Sequence, residues 1–273
     1  MRKPRVLYVS QEITPYLSQG PIADICRYLP QGIQERGKEI RTFMPRFGVV
    51  NERRNQLHEV IRLSGMNLII GENDHPLIIK VASIQNARMQ VYFIDNEEYF
   101  QRKFVFRDNK NKFYKDNEDR MIFFCRGVME TVKKLGWAPD IIHCHGWMTS
   151  LIPLYAKTIY KDHPLFRNSK VVYSVYDHDL EEEFSDMFLK KIKLDGVSSD
   201  ELKIYKDASI AALNVAAMQK SDAIIRVSEN LSPAVEKQLL KTSKRVLNHD
   251  ENYIETYSTF YDELMEEEEV FAN

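Results

Sequence analysis

From Arg5 to Ser10 the chain reads RVLYVS, an apolar, β-rich run of the kind a parallel strand makes when both its faces are covered. Pro21 then opens a helical pattern in which Ile22, Ile25, Cys26 and Leu29 share one face. Pro30 is expected to kink or end that helix, and Gly37 to close the region before a second strand over 38–45. Between Leu57 and Asp95, apolar runs at 57–63, 66–70, 77–82 and 91–94 are separated by short polar breaks, the pattern of a β-hairpin or meander insertion. Residues 97–117 are polar and aromatic with no clean period. Helical spacing returns with Met121, Phe124, Cys125, Val128 and Val132 up to Gly136. Strands are then expected at 140–145, 170–176 and 221–227, with helices from Trp147, over 180–193 and 200–219, and from Pro233. This β-α alternation implies an α/β domain, doubly wound, with a mainly parallel sheet. The expected division is one α/β domain over 1–245 and a helical or frayed acidic tail over 246–273, which ends in EEEEVFAN.

Composition narrows the function classes. Lys and Arg number 38 against 40 Asp and Glu, so the chain lacks the basic excess of a nucleic-acid binder. No apolar run is long enough to span a membrane, which leaves membrane binding unsupported. Cys26, Cys125 and Cys144 are too few and too irregular for a disulfide framework, and point to a reducing compartment, the cytoplasm.

In an open parallel sheet, ligands bind beyond the carboxyl ends of the strands, where the strand order reverses. Three expected strand ends carry polar residues. In YLSQGPIADI, Gly20 precedes a helix start and could expose backbone N–H groups to a phosphate, although a plain strand-to-helix turn accounts for it equally simply. In HCHGW, His143 and His145 share one face of a strand. No third ligand has metal-site spacing, so hydrogen-bonded histidines beside a pocket are the expected reading, with no metal. In YDHDLEEEF, Asp177, His178 and Asp179 could serve acid–base chemistry, or the carboxylates could simply complement a helix dipole.

These segments, in this order, resemble one family. RVLYVSQEITPYLSQGPIADICRYLP is similar to the opening of bacterial ADP-glucose-dependent glycogen synthases and plant starch synthases, where a strand, a Glu, a Pro, a K-x-G-G-L loop and an A-D-V helix follow one another. VYFIDNEEYFQR resembles a strand ending in Asp with an aromatic cluster, and DNEDRMIFF resembles D-N-x-x-R-F-x-x-F. WAPDIIHCHGWMTSLIPLY resembles P-D-I-I-H-x-H-D-W-H, KVVYSVYDHD stands in place of a strand ending T-V-H-N, and MQKSDAIIRVSENLSPAVEKQ resembles Y-A-D-x-V-T-T-V-S-P. The likeness runs from about Arg5 to Gln238.

The resemblance implies the Rossmann-like N-terminal domain of a two-domain glycosyltransferase. In such enzymes the second domain holds most of the ADP-glucose donor and the first supplies acceptor contacts. Glu12, Gly20, Asp24, Arg120, His143, His145 and Trp147 match the family motifs. Ser18 stands where the K-x-G-G-L lysine would be, Pro21 on its second glycine, Gly146 on the aspartate of H-x-H-D-W, and Tyr176 and Asp177 on the last two positions of T-V-H-N. The substrate-binding candidates are therefore Ser18, Gln19, Gly20, His143, His145, Gly146, Trp147, Tyr176 and Asp177, with no catalytic residue singled out. Tyr99, Phe100 and Tyr114 are candidate glucan-facing aromatics.

The expected function is that of a glucan-facing half domain of α-glucan metabolism, binding an α-glucan or maltooligosaccharide. It needs no cofactor, has ADP-glucose as donor if it is active, and transfers little or no glucose alone. An interaction or regulatory subunit, with a protein partner supplying the other domain, is one alternative. A standalone enzyme of another class working through 176–183 is the other.

Overall fold

A computed structural model describes residues 2–18, 20–177, 182–194 and 196–271. The apolar runs give the strands β1 (Arg5–Ser10), β2 (Glu39–Pro45), β3 (His58–Glu59), β4 (Met66–Ile70), β5 (Asn73–Ile84), β6 (Met89–Asp95), β7 (Ile141–His145), β8 (Lys170–Val175) and β9 (Ala223–Arg226), and a further strand that the pattern does not predict, β10 (Arg245–Asn248), follows. They join one sheet in the order β10-β9-β8-β7-β1-β2-β6-β5-β3, with β4 paired to β5. From β10 across to β6 every pairing is parallel, whereas β5 runs antiparallel to β6, β3 and β4. The hairpin insertion therefore extends the main sheet at one edge. This is a doubly wound, mainly parallel α/β fold with an antiparallel region.

Helices α1 (Pro21–Glu35), α2 (Glu97–Phe100), α3 (Asn117–Leu135), α4 (Ile152–Lys157), α5 (Phe188–Ile192), α6 (Ile210–Lys220), α7 (Pro233–Lys241) and α8 (Tyr253–Phe271) complete the fold. Contrary to the expected break, α1 continues through Pro30 for five more residues to Glu35. Ile33 extends the buried face of Ile22, Ile25, Cys26 and Leu29, so packing outweighs the hydrogen bond the proline removes. Helix α5 is much shorter than the expected 180–193, and residues 178–181 lie outside those described. The span 97–117 forms the single turn α2 and a loop pinned by a bridge between Arg107 and Phe113.

Helices cover both faces of the sheet. On one face the Tyr173 hydroxyl of β8 donates to Asn214 Oδ1 of α6 at 2.7 Å. On the other, Tyr8 of β1 meets Tyr261 of α8 at 3.4 Å. Residues 246–273 thus supply most of β10 and all of α8, whose Tyr257 and Tyr261 are fully buried. Lys38, itself buried, donates to Ser258 Oγ at 2.9 Å and Asp262 Oδ2 at 2.8 Å. Helix α8 also crosses α1 so closely that a Cβ on Gly32 would lie 2.3 Å from Ile254 Cγ2.

Candidate functional site

The chain passes from β1 outward to β2 and β6, then returns to place β7 on the opposite side of β1. The strand order reverses between β1 and β7, and the carboxyl ends of these two strands define the expected crevice. Ser10 of β1 is in register with His145 of β7, so the segments after both strands emerge side by side.

Around this crevice the two histidines lie on the α8 face, ring centroids 3.9 Å apart. His143 Nδ1 is 2.6 Å from the Tyr261 hydroxyl and Nε2 is 2.7 Å from Ser174 Oγ. His145 Nδ1 is 2.7 Å from the Tyr176 hydroxyl. Burial strips both imidazoles of solvent, pushing His143 well below its ordinary pKa and His145 down to about 3, with His249 adding to the latter shift. Both rings are neutral at pH 7. His145 Nε2 and the Trp147 indole nitrogen are buried and have no hydrogen-bond partner among the described residues. Trp147 packs between Phe106, Phe113 and Phe184, with centroids 5.0, 6.0 and 5.9 Å away.

The remaining candidates divide. Gly146 turns the chain at φ 88°, a conformation that needs glycine. Gly20 caps α1 with extended backbone, close to the buried Glu12. Ser18 Oγ lies 2.9 Å from Thr14 Oγ1, which donates to Asp24 Oδ1, also at 2.9 Å. Tyr176 is buried, while Asp177 is exposed and its backbone N–H donates to Ser228 Oγ at 2.9 Å. Gln19, His178 and Asp179 lie outside the described residues. No cluster of three or more His, Cys, Asp or Glu side chains able to hold a metal occurs among the described residues.

Of the aromatics, Phe100 is fully buried and Tyr99 is 4% exposed, so neither offers a free ring face for stacking. Tyr114 is half-buried, with the Arg102 guanidinium 4.8 Å from its ring centroid. Tyr99 instead lines a groove of about 720 Å³ between the β4–β5 turn, α2, the start of α3, and α5. In its wall the Tyr99 hydroxyl is 2.8 Å from His75 Nε2, and His75 Nδ1 is 3.2 Å from Glu98 Oε2. Asp119 and Lys191 pair beside them at 2.8 Å, and Arg126 and Lys193 complete the lining. Sequence reasoning missed His75, Asp119, Arg126 and Lys193. His75 lies on β5, Asp119 and Arg126 on α3 and Lys193 just after α5, so only the tertiary fold brings them together.

Comparison with known proteins bears on the same residues. The family described as starch synthase catalytic domain matches residues 5–242. A glycogen synthase from Pelodictyon phaeoclathratiforme is 42% identical over 174 residues, 63% of this chain and 36% of that protein. One from Chlorobium luteolum is 42% identical over 177 residues, 64% of this chain and again 36% of that protein. The chain thus spans only about a third of the length of these curated relatives. Among solved structures, the catalytic domain of Starch Synthase IV from Arabidopsis thaliana, bound to ADP and acarbose, superposes with a TM-score of 0.73 at 15% identity, covering 90% of this chain and 51% of that one. At that identity the likeness speaks for the fold alone.

Proposed function

The chain belongs to the starch synthase catalytic-domain family, and on that footing we propose that these residues form the glucan-facing half of a glycogen or starch synthase-like protein, binding an α-glucan rather than transferring glucose unaided. The observation that carries this reading is the groove beside Tyr99. When Nδ1–H of His75 donates to Glu98, Nε2 is left as an acceptor and the Tyr99 hydroxyl donates to it. The tyrosine oxygen and the outer Glu98 oxygen then face the groove as acceptors, opposite the cations of α5. The lining carries Glu72, Glu98, Asp116 and Asp119 against Arg126, Lys190, Lys191 and Lys193, so it presents no net charge. A ligand with hydroxyls that both donate and accept, and no charge of its own, suits such a wall. The volume lies within the usual range of about 300–1,000 Å³ for small-molecule sites.

Unaided transfer is disfavoured by the crevice. A donor diphosphate near the start of α1 would find Ser18 where the resembled motif has lysine, and Pro21 removes one N–H there. The three cysteines are all free and buried, which is consistent with a cytoplasmic setting. Calorimetric titration of maltotetraose into the protein tests the reading. Binding weakened at least fivefold by Tyr99→Phe is expected, and no heat at millimolar sugar would refute it.

A further inference from the structure

The turn that ends β7 carries a glycine at position 146. Another side chain occupies the space beside it. A Cβ built on Gly146 would lie 2.3 Å from Gln11 Oε1, 2.5 Å from Cδ and 2.7 Å from Cγ, all far inside van der Waals contact. The Gln11 backbone N–H donates to the His145 carbonyl at 3.2 Å, which fixes the base of the side chain beside β7. Its carboxamide reaches under the turn, with Oε1 3.5 Å from the Met148 backbone nitrogen, and the residue is only 6% exposed. That nitrogen lies in the first turn after Gly146, where an aspartate in the cap position would ordinarily accept a hydrogen bond.

We propose that Gln11 is the positioning residue of the turn that ends β7. Its side chain fills the space of the side chain position 146 lacks, and so holds the 146–149 turn with His145 on one side and Trp147 on the other. Gln11 and Gly146 act as a matched pair: the glycine makes room for the glutamine, and the glutamine supports a turn that has no capping side chain of its own. A side chain at position 146 requires Gln11 to move. This assignment deepens the reading of the strand-end crevice given above, but it makes no use of a ligand.

The test is therefore run on the ligand-free protein, so its result is independent of whether glucan binds. Amide exchange by NMR is compared between the native chain and Gln11→Ala. Met148 is expected to exchange at least tenfold faster in the variant, while Val172 and Tyr173 in β8 keep their protection, which a general loss of stability would not allow. In parallel, Gly146→Ala is measured by urea denaturation in both backgrounds. It is expected to lower the folding equilibrium constant at least tenfold in the native chain and by less than a third of that factor beside Gln11→Ala, because the clash is gone and only the backbone strain remains. An equal penalty in both backgrounds, or unchanged Met148 exchange, overturns the assignment. Gln11→Asn, one methylene shorter, serves for the same two comparisons should Gln11→Ala not fold.

Discussion

His143 and His145 show how a residue pattern can be read correctly for its face and incompletely for its chemistry. Their two-residue spacing on a strand implies a shared face, and they share one. Nothing in the sequence foretells that Tyr261, well over a hundred positions away, becomes the partner of His143, because that contact depends on where α8 docks. Their burial has a measurable consequence. Each imidazole has a folded-state pKa below its unfolded value near 6.5, so below that pH the unfolded chain binds protons the folded chain refuses. The stability these neutral rings permit is present above pH 6.5 and is lost as pH falls toward the folded value, about 3 for His145. Urea midpoints are therefore expected to drop steadily between pH 6.5 and 5. His145→Asn should flatten that slope by about 1 kcal/mol per pH unit. A slope unchanged by the substitution would mean that the ring is protonated in the folded state.

At the scale of elements, what could be read from the sequence followed the physics of each signal. Strands such as β1, β7 and β8, buried on both faces, are legible as apolar runs, and the hairpin insertion in its regularly spaced polar breaks. The fate of α1 at Pro30 was not visible, since a local rule about proline competes with a buried stripe whose partners are distant. A helix in the tail is expected from the sequence, but the docking of α8 is not: its acidic end dominates the composition, while the tyrosines that dock it look unremarkable in sequence. The same docking reverses an ordinary expectation at Gly32. Replacing a mid-helix glycine with alanine usually stabilises by about 0.5–1 kcal/mol. Here the new methyl would fall 2.3 Å from Ile254 Cγ2 and push α8 away from α1. Gly32→Ala should therefore destabilise by roughly 1–3 kcal/mol, the usual cost of overpacking. Gly32→Ala combined with Ile254→Ala should recover most of that loss in urea denaturation, whereas unchanged instability in the pair would place the cause within α1 itself.

For the whole molecule the question is what the strand-end crevice of this polypeptide can do. The family match covers residues 5–242, and the sheet reversal puts the strand-end crevice where such a fold binds its ligands. By the motif resemblance, that crevice has a hydroxyl at Ser18 in place of a cation, a hydrogen at Gly146 in place of a carboxylate and a buried phenol at Tyr176 in place of a compact ring. Removing one pre-aimed donor at a site of charge development costs about 10²–10³ in rate, and losses within one site do not simply multiply. Even a single such factor slows an ordinary turnover of about 10 s⁻¹ to roughly one event per 10–100 s. Incubation of this polypeptide with radiolabelled ADP-glucose and glycogen is therefore expected to give no incorporation above the rate without protein. Addition of a cell extract depleted of its own synthase provides the contrasting arm. Incorporation that appears only when polypeptide and extract are combined would mean that a partner brings the second wall, and that the altered motif positions are compatible with chemistry once the cleft is closed. Incorporation by the polypeptide alone would overturn the reading of Ser18, Gly146 and Tyr176 as lost functions, and would require these residues to grip the donor in a new way.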